Sequence, residues 1–171
     1  PIEKIQDDCI IAWAMNGEAL RPEQGYPIRL VVPGWEGNMW VKWLRRIEFG
    51  DKPYMTREET SKYTDLLSDG KARMFTWVMD AKSVITSPCP EKPVLQKGIH
   101  QIRGLAWSGR GKIKRVDVSL DGGKNWRTAQ LHSPILEKSL TRFTIPFEWN
   151  GEEMLLQSRA IDETNYVQPS I

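Results

Sequence analysis

The stretch Gln24–Glu48, QGYPIRLVVPGWEGNMWVKWLRRIE, decides how the rest of the chain is read. Ile28-Arg29-Leu30-Val31-Val32 is strand-like, a run of branched apolar residues interrupted by one arginine and held between Pro27 and Pro33-Gly34. A tryptophan-rich basic segment follows, with Trp35, then Trp40-Val41-Lys42-Trp43, then Arg45-Arg46. Arg29 and Lys42 stand on either side of the Pro-Gly turn and can converge on one anion, and the flanking glycines let backbone N–H groups approach it as well. The other reading is a solvated basic edge beside a tryptophan core. Most surface charges are simply solvated, so the residues taken alone leave both readings open, with the solvated edge the commoner outcome.

Composition sets wide bounds. A chain of 171 residues is long enough for one domain or two small ones. With 40% hydrophobic and 27% charged residues it reads as an ordinary globular protein. A formal charge of +2 provides no global field for nucleic acid or an anionic membrane, and no apolar run reaches spanning length. Eight tryptophans are many for this length, and most are expected in the core. Cys9 and Cys89 show neither metal-ligand spacing nor a Cys-x-x-Cys pair and are read as two separate thiols. His100 and His132 have no partner pattern, which leaves a zinc site or a Ser-His-Asp triad without support.

Along the chain two parts emerge, 1–85 and 86–171. In the first, Ile10–Met15, the turn Asn16-Gly17 and Glu18–Leu20 suggest a short hairpin, with a helix through Ile2, Ile5, Cys9 and Trp13 as the competing reading. Thr56 followed by Glu59 has the form of a capping box, predicting a helix from Arg57 to about Ser68 closed by Gly70. At the boundary, Val84–Pro90 reads as a domain entry with edge-strand prolines. Strands are then predicted over Ile99–Trp107, Ile113–Leu120, Trp126–Leu131, Arg142–Trp149 and Met154–Ile161, with Asp121-Gly122-Gly123 and Asn150-Gly151 as turns. The fold class is α+β, mainly β, and the second part is an immunoglobulin-like β-sandwich.

Gly25-Tyr26-Pro27-Ile28-Arg29, Val31-Val32-Pro33-Gly34 and Val41-Lys42-Trp43-Leu44 stand in a fixed order. So do Leu105–Gly109, Arg115–Gly123 and Tyr166–Pro169 further on. Together these blocks resemble the sulfite oxidase family of molybdopterin enzymes, whose pattern reads His-Gly-Phe/Tyr-Pro-x-Arg, Val-Val-Pro-Gly and Val-Lys-Trp-Leu. The nearest branch is the molybdenum subunit of sulfane dehydrogenases, the SoxC type. Gln24 in place of the family histidine points there, as do the segments Thr56–Leu67 and Phe75–Ser83.

The resemblance implies that 1–85 is the tail of a molybdopterin-binding domain and 86–171 an incomplete dimerisation domain. It implies a longer parent chain, because the molybdenum-ligating cysteine of the family lies upstream of these blocks. Molybdopterin is the implied cofactor, contacted by Gln24, Arg29, Trp40, Val41 and Lys42. Tyr26 and Trp43 are expected to serve packing. Arg110 and Arg115, which flank the Trp107-Ser108-Gly109 loop, are candidates to face a cleft but are more simply surface arginines. No metal ligand or catalytic residue is assigned. The implied reaction is oxidation of a reduced sulfur species, protein-bound sulfane or sulfite, with electrons passed to a c-type cytochrome subunit. The sulfur-carrier protein or sulfite is the substrate, the assembly a homodimer through the second domain, and the location periplasmic. The alternative is a non-catalytic dimerisation or structural module.

Overall fold

The structure, a computed structural model, describes residues 1–52, 54–74, 76–94 and 96–169. Phe75, part of one resembling segment, and Ser170 and Ile171, at the end of the second region, lie outside the described residues. The chain is mainly β and divides into two compact units, Pro1–Met79 and Asp80–Ile171. The strand Lys82–Ser87, which contains the sequence boundary at 85/86, is hydrogen-bonded within the second unit.

In the first unit a short helix α1 (Ile2–Asp7) leads into strand β1 (Ile10–Ala12) and the hairpin of β2 (Ala14–Met15) with β3 (Glu18–Ala19). Asn16 and Gly17 carry φ of 54° and 83°, the mirror-image turn that matches strand twist. The hairpin therefore forms, and the competing helix stops six residues before Trp13. Strand β4 (Arg29–Val31) pairs antiparallel with β1, setting Ala12 opposite Arg29 and Ile10 opposite Val31. Only Leu20 and Val32 are fully buried apolar side chains here among the described residues, so backbone pairing rather than a core organises this unit.

The predicted long helix is corrected. Helix α2 covers only Arg57–Lys62, with Thr56 at its N-cap but no side-chain cap bond, so the capping box does not form. Thr64–Leu66 (β5) instead pairs with Ala72–Met74 (β6), and Arg73 bonds Asp65 across the pair at 2.8 Å. Gly70, at φ 78°, closes this hairpin instead of capping a helix. β-Branched and aromatic residues after Lys62 and an Asp-Gly turn outweigh the marginal stability of a short exposed helix.

The second unit is an immunoglobulin-like sandwich. Its strands are β7 (Lys82–Ser87), β8 (Gly98–Trp107), β9 (Ile113–Ser119), β10 (Arg127–Thr128), β11 (Gln130–His132), β12 (Thr141–Trp149) and β13 (Gln157–Asp162). One sheet runs β11-β12-β8-β7 and the other β10-β9-β13. The predicted return strand after Trp126 splits, its first half pairing with β9 and its second with β12. Ala129 sits at the crossing and its N–H still bonds the Val116 carbonyl at 2.8 Å.

Alternation along each strand sends Ile102, Ala106, Val116, Val118, Phe143, Ile145, Phe147 and Ala160 into one core between the sheets. Phe143 is 0% exposed and lies opposite Gly104 in the ladder. A Cβ on Gly104 would come within 2.2 Å of the Phe143 ring, so the glycine makes the room the ring fills. No tryptophan joins the fully buried set among the described residues, contrary to expectation, and Trp13 is 70% exposed. The narrow space between sheets is filled by branched aliphatics and phenylalanine, which carry no polar atom to satisfy.

One end of the sandwich is closed by Asp162, 0% exposed. Its carboxylate accepts from the Ser108 hydroxyl (2.7 Å), the Thr164 hydroxyl (2.6 Å), and the N–H groups of Thr164 (2.9 Å) and Tyr166 (3.0 Å). Burial alone pushes this carboxyl up, but the hydroxyls of Thr164 and Ser108 and the two N–H groups outweigh it and hold it below the ordinary range. At the turn after β9, Asp121 is lowered to about 2, chiefly by the Asn125 backbone and side chain and by the Ser119 hydroxyl.

Two outcomes are expected. Phe143→Ala should destabilise the fold by about 3–5 kcal/mol, read from the denaturant midpoint at constant m-value. A carboxyl depressed on folding contributes stability above its unfolded pKa of about 4 and loses it as pH falls through its folded value. Asp162→Asn should therefore flatten the acid limb of the stability–pH curve and lower stability at neutral pH by about 1–3 kcal/mol. An acid limb as steep as that of the wild type would refute this role.

Candidate functional site

The site is assembled from three pieces of the first unit: the 3₁₀ turn Pro22–Gln24, strand β4 and the segment 40–44. Backbone bonds fasten the last to the first two. Leu30 N–H donates to the Val41 carbonyl (2.9 Å), Leu44 N–H to Ile28 (3.0 Å) and Trp43 N–H to Gly25 (3.4 Å). Arg29 points from β4 into the space between them. Its Nη1 donates to the Gln24 carbonyl at 2.9 Å and its Nη2 to the Trp40 carbonyl at 3.2 Å, with the guanidinium 5.7 Å from the Trp40 ring centroid. The planar fork thus ties turn to loop. Lys42 Nζ donates to the Glu23 carbonyl and the Trp43 indole N–H to Pro22 (3.0 Å).

All five candidates lie in this one hydrogen-bonded cluster. Gln24 turns its side-chain carbonyl back to the Arg21 N–H (3.2 Å), which leaves its amide N–H donors out of that bond. Val41 is 46% exposed and held through its carbonyl. Tyr26 and Trp43 depart from the packing role expected of them, being 55% and 57% exposed. Arg110 and Arg115 are absorbed in the second unit. Arg110 bonds Asp80 at 2.8 Å and covers the Tyr166 ring, and Arg115 pairs with Asp117 at 3.1 Å.

Sequence reading gave Gly25 no role of its own. It is buried with φ 111°, and an added Cβ would lie 3.0 Å from Lys42 Cβ and 3.1 Å from Arg29 Cβ. Both cationic stems cross this one glycine, which is what brings them together. The pairing of Trp35 and Trp77 was also missed. Their rings stack at 5.0 Å and 13°, Glu36 N–H donates to Trp77 (2.7 Å) and Met79 N–H to Gly34 (2.9 Å). Trp35 in turn accepts from the Trp40 indole (3.1 Å), so the stack braces the residue Arg29 grips. A glycine before Tyr-Pro was the visible signal for the first; nothing local announces a stack between residues so far apart.

Chemically, the cluster is cationic and directional. Among the described residues Arg29 and Lys42 form no ion pair, and their bonds run to carbonyl oxygens, which leave both charges uncancelled. Arg29 Nε is buried without a hydrogen-bond partner among the described residues. A buried donor without a partner is costly, so a nearby acceptor would be favoured. Such a set fits the phosphate and polar ring edges of a pterin cofactor. Cys9 does not read as a reactive nucleophile, since burial pushes its thiol up against the pull of Lys4. A separate cleft of about 790 Å³ in this unit, lined by Ile2, Met39, Phe49, Tyr54 and Trp77 among others, contains none of the five candidates.

Known proteins are similar to this chain across both units. Residues 1–58 match the oxidoreductase molybdopterin binding domain, and residues 73–171 the Mo-co oxidoreductase dimerisation domain, the two regions of a molybdopterin oxidoreductase. Sulfite oxidase of Gallus gallus is 32% identical over 95% of this chain and 38% of its own length. A nitrate reductase [NADH] of Solanum lycopersicum is 31% identical over 95% of this chain and 21% of its own. The solved sulfane dehydrogenase SoxCD of Paracoccus pantotrophus superposes with a TM-score of 0.91 at 65% identity, over 99% of this chain and 44% of that one. The chain belongs to the sulfite oxidase family of molybdopterin oxidoreductases and, within it, is similar to the SoxC type. It spans less than half the length of each of these relatives.

Gly25→Ala places a side chain at positive φ and against two stems at once. It should lower stability by about 1–3 kcal/mol and loosen the 40–44 segment from β4, visible as loss of amide-exchange protection at Leu30 and Leu44.

Proposed function

We propose that residues 1–85 hold the phosphate and pterin end of molybdopterin, with Gln24, Arg29, Trp40, Val41 and Lys42 as the contacts, and that 86–171 is the dimerisation domain of the same enzyme. The observation that carries this reading is the pair of uncancelled cations crossing Gly25, one with a buried unpartnered Nε. When bound, the cofactor supplies two-electron oxygen-atom chemistry at molybdenum. The residues named here bind and orient. Arg29 offers a planar donor edge, Lys42 a compact charge for a phosphate oxygen, and Trp40 and Val41 backbone groups fixed by Arg29 and Leu30. Gln24 replaces a titrating imidazole with an amide, so its contact keeps the same charge across the working pH range.

The parent enzyme on this reading oxidises a reduced sulfur species, a protein-bound sulfane or sulfite. It passes electrons to a c-type cytochrome subunit in the periplasm and acts as a homodimer through the second domain. The 65% identity to the solved sulfane dehydrogenase SoxCD favours the carrier-bound sulfane over sulfite. Steady-state turnover of the full-length protein on a persulfide-bearing carrier protein against free sulfite separates these substrates.

Lys42→Ala and Arg29→Gln in the full-length protein should each lower bound molybdenum and pterin at least tenfold, measured by elemental analysis and by fluorescence of the released pterin. Full cofactor content in both variants would overturn the site.

A further inference from the structure

We propose that the outward face of the four-stranded sheet in the second unit is a binding site for a doubly charged tetrahedral oxyanion such as sulfate or hydrogen phosphate. The site follows from register. On β12, Arg142 and Thr144 point outward, alternating with the buried Thr141, Phe143 and Ile145. His132 of β11 lies opposite Arg142, and Arg103 of β8 lies opposite Thr144. Directly paired residues are about 5 Å apart and diagonal neighbours about 7–8 Å, so both guanidiniums and the imidazole can reach one small ion.

Hydroxyls fill the gaps. Thr144 Oγ1 lies 2.7 Å from His132 Nε2, Thr86 Oγ1 donates to the Arg103 carbonyl at 3.2 Å, and Ser133 follows at the end of β11. These six residues line a cleft of about 500 Å³ to which no carboxylate contributes.

The charge on this face is left over by the fold. Elsewhere in the unit Arg110, Arg115 and Arg159 each meet an aspartate at 2.8–3.4 Å. Arg103 Nε bonds the neutral Gln101 side chain at 3.1 Å, and among the described residues Arg142 forms no ion pair. The first acidic side chain along the outward positions of β12 is Glu148, about 13 Å beyond Thr144 at 3.3 Å per residue. That exceeds the Debye length of about 8 Å at physiological ionic strength, so it screens the patch little. Two arginines crowded beside an imidazole repel one another unless an anion joins them, and planar guanidiniums match the oxygens of a tetrahedral ion.

The test is equilibrium dialysis of the full-length protein with labelled sulfate, then labelled phosphate, in chloride buffer at fixed ionic strength. It compares wild type with the double variant Arg103→Gln/Arg142→Gln. The wild type should bind one more equivalent per chain than the double variant, and Arg142→Lys should weaken that equivalent about tenfold. Matching unfolding midpoints establish that the variants fold, and a variant that does not is replaced by Thr144→Val, which should weaken the same equivalent. Equal stoichiometry in wild type and double variant overturns the proposal. So does binding of polyglutamate to this face with no retention of either oxyanion, which would make it a docking surface for an acidic chain instead.

Discussion

Because a guanidinium is planar and donates along fixed directions, Arg29 can bond the Gln24 and Trp40 carbonyls together only if the 22–25 turn and the 40–44 segment lie on the same side of β4. That requirement propagates. It forces Lys42 across the turn, where only a glycine leaves room for its stem, and Gly25 meets this with a buried backbone at φ 111°. It also fixes Trp40, whose indole then reaches Trp35, whose ring in turn lies on Trp77. A unit with only two fully buried apolar side chains among its described residues thus obtains its shape from one side chain's geometry and the backbone bonds it aligns.

The second unit solves the opposite problem. Its geometry follows from volume: Phe143 occupies the space Gly104 vacates, and the two sheets close over a continuous aliphatic and aromatic layer. With the Thr141 hydroxyl and Arg159 Nε as exceptions, most buried polar groups there are bonded among the described residues. Asp162 is the clearest instance, a buried carboxylate surrounded by two hydroxyls and two N–H groups, with its charge supported by donors instead of a counter-ion. It ties the end of β13 to the loop after β8 and holds the Thr164–Tyr166 turn, so the register of that edge is set chemically as well as by packing.

How much of this was legible depended on whether the signal was local. Strands bounded by glycine-marked turns, such as β8, β9 and β12, stand in the sequence almost at their observed bounds. The hairpin at Asn16-Gly17 was equally plain, because its positive-φ demand is met by only a few residue types. The helix after Thr56 was over-read. The capping signature was present, but a helix of this length has little stability of its own, and the pairing of β5 with β6 is a contact between segments that no propensity announces. The split of the strand after Trp126 between two sheets was invisible for the same reason. In the site, the two cations and their flanking residues stood out by chemistry and by resemblance. Gly25 and the Trp35–Trp77 stack did not, since their importance lies in what crosses or covers them.

The cations of this chain differ in how their charge is compensated. Arg110 and Arg159 lie over aromatic rings and meet aspartates, so their charge is spent inside the second unit. Arg29 and Lys42 are held just as firmly, but by backbone carbonyls, which orient a cation without neutralising it. A fold that needed these residues only for stability would gain more from a carboxylate partner than from a carbonyl, since bonds between two ionised groups are the stronger class. Fixing a cation while sparing its charge favours an anion that arrives from outside. The same reasoning applies to Arg103 and Arg142, where a sheet face keeps charge that its own residues do not cancel. Holding like charges close together raises the free energy of the empty protein, and an anion bound between them offsets that repulsion.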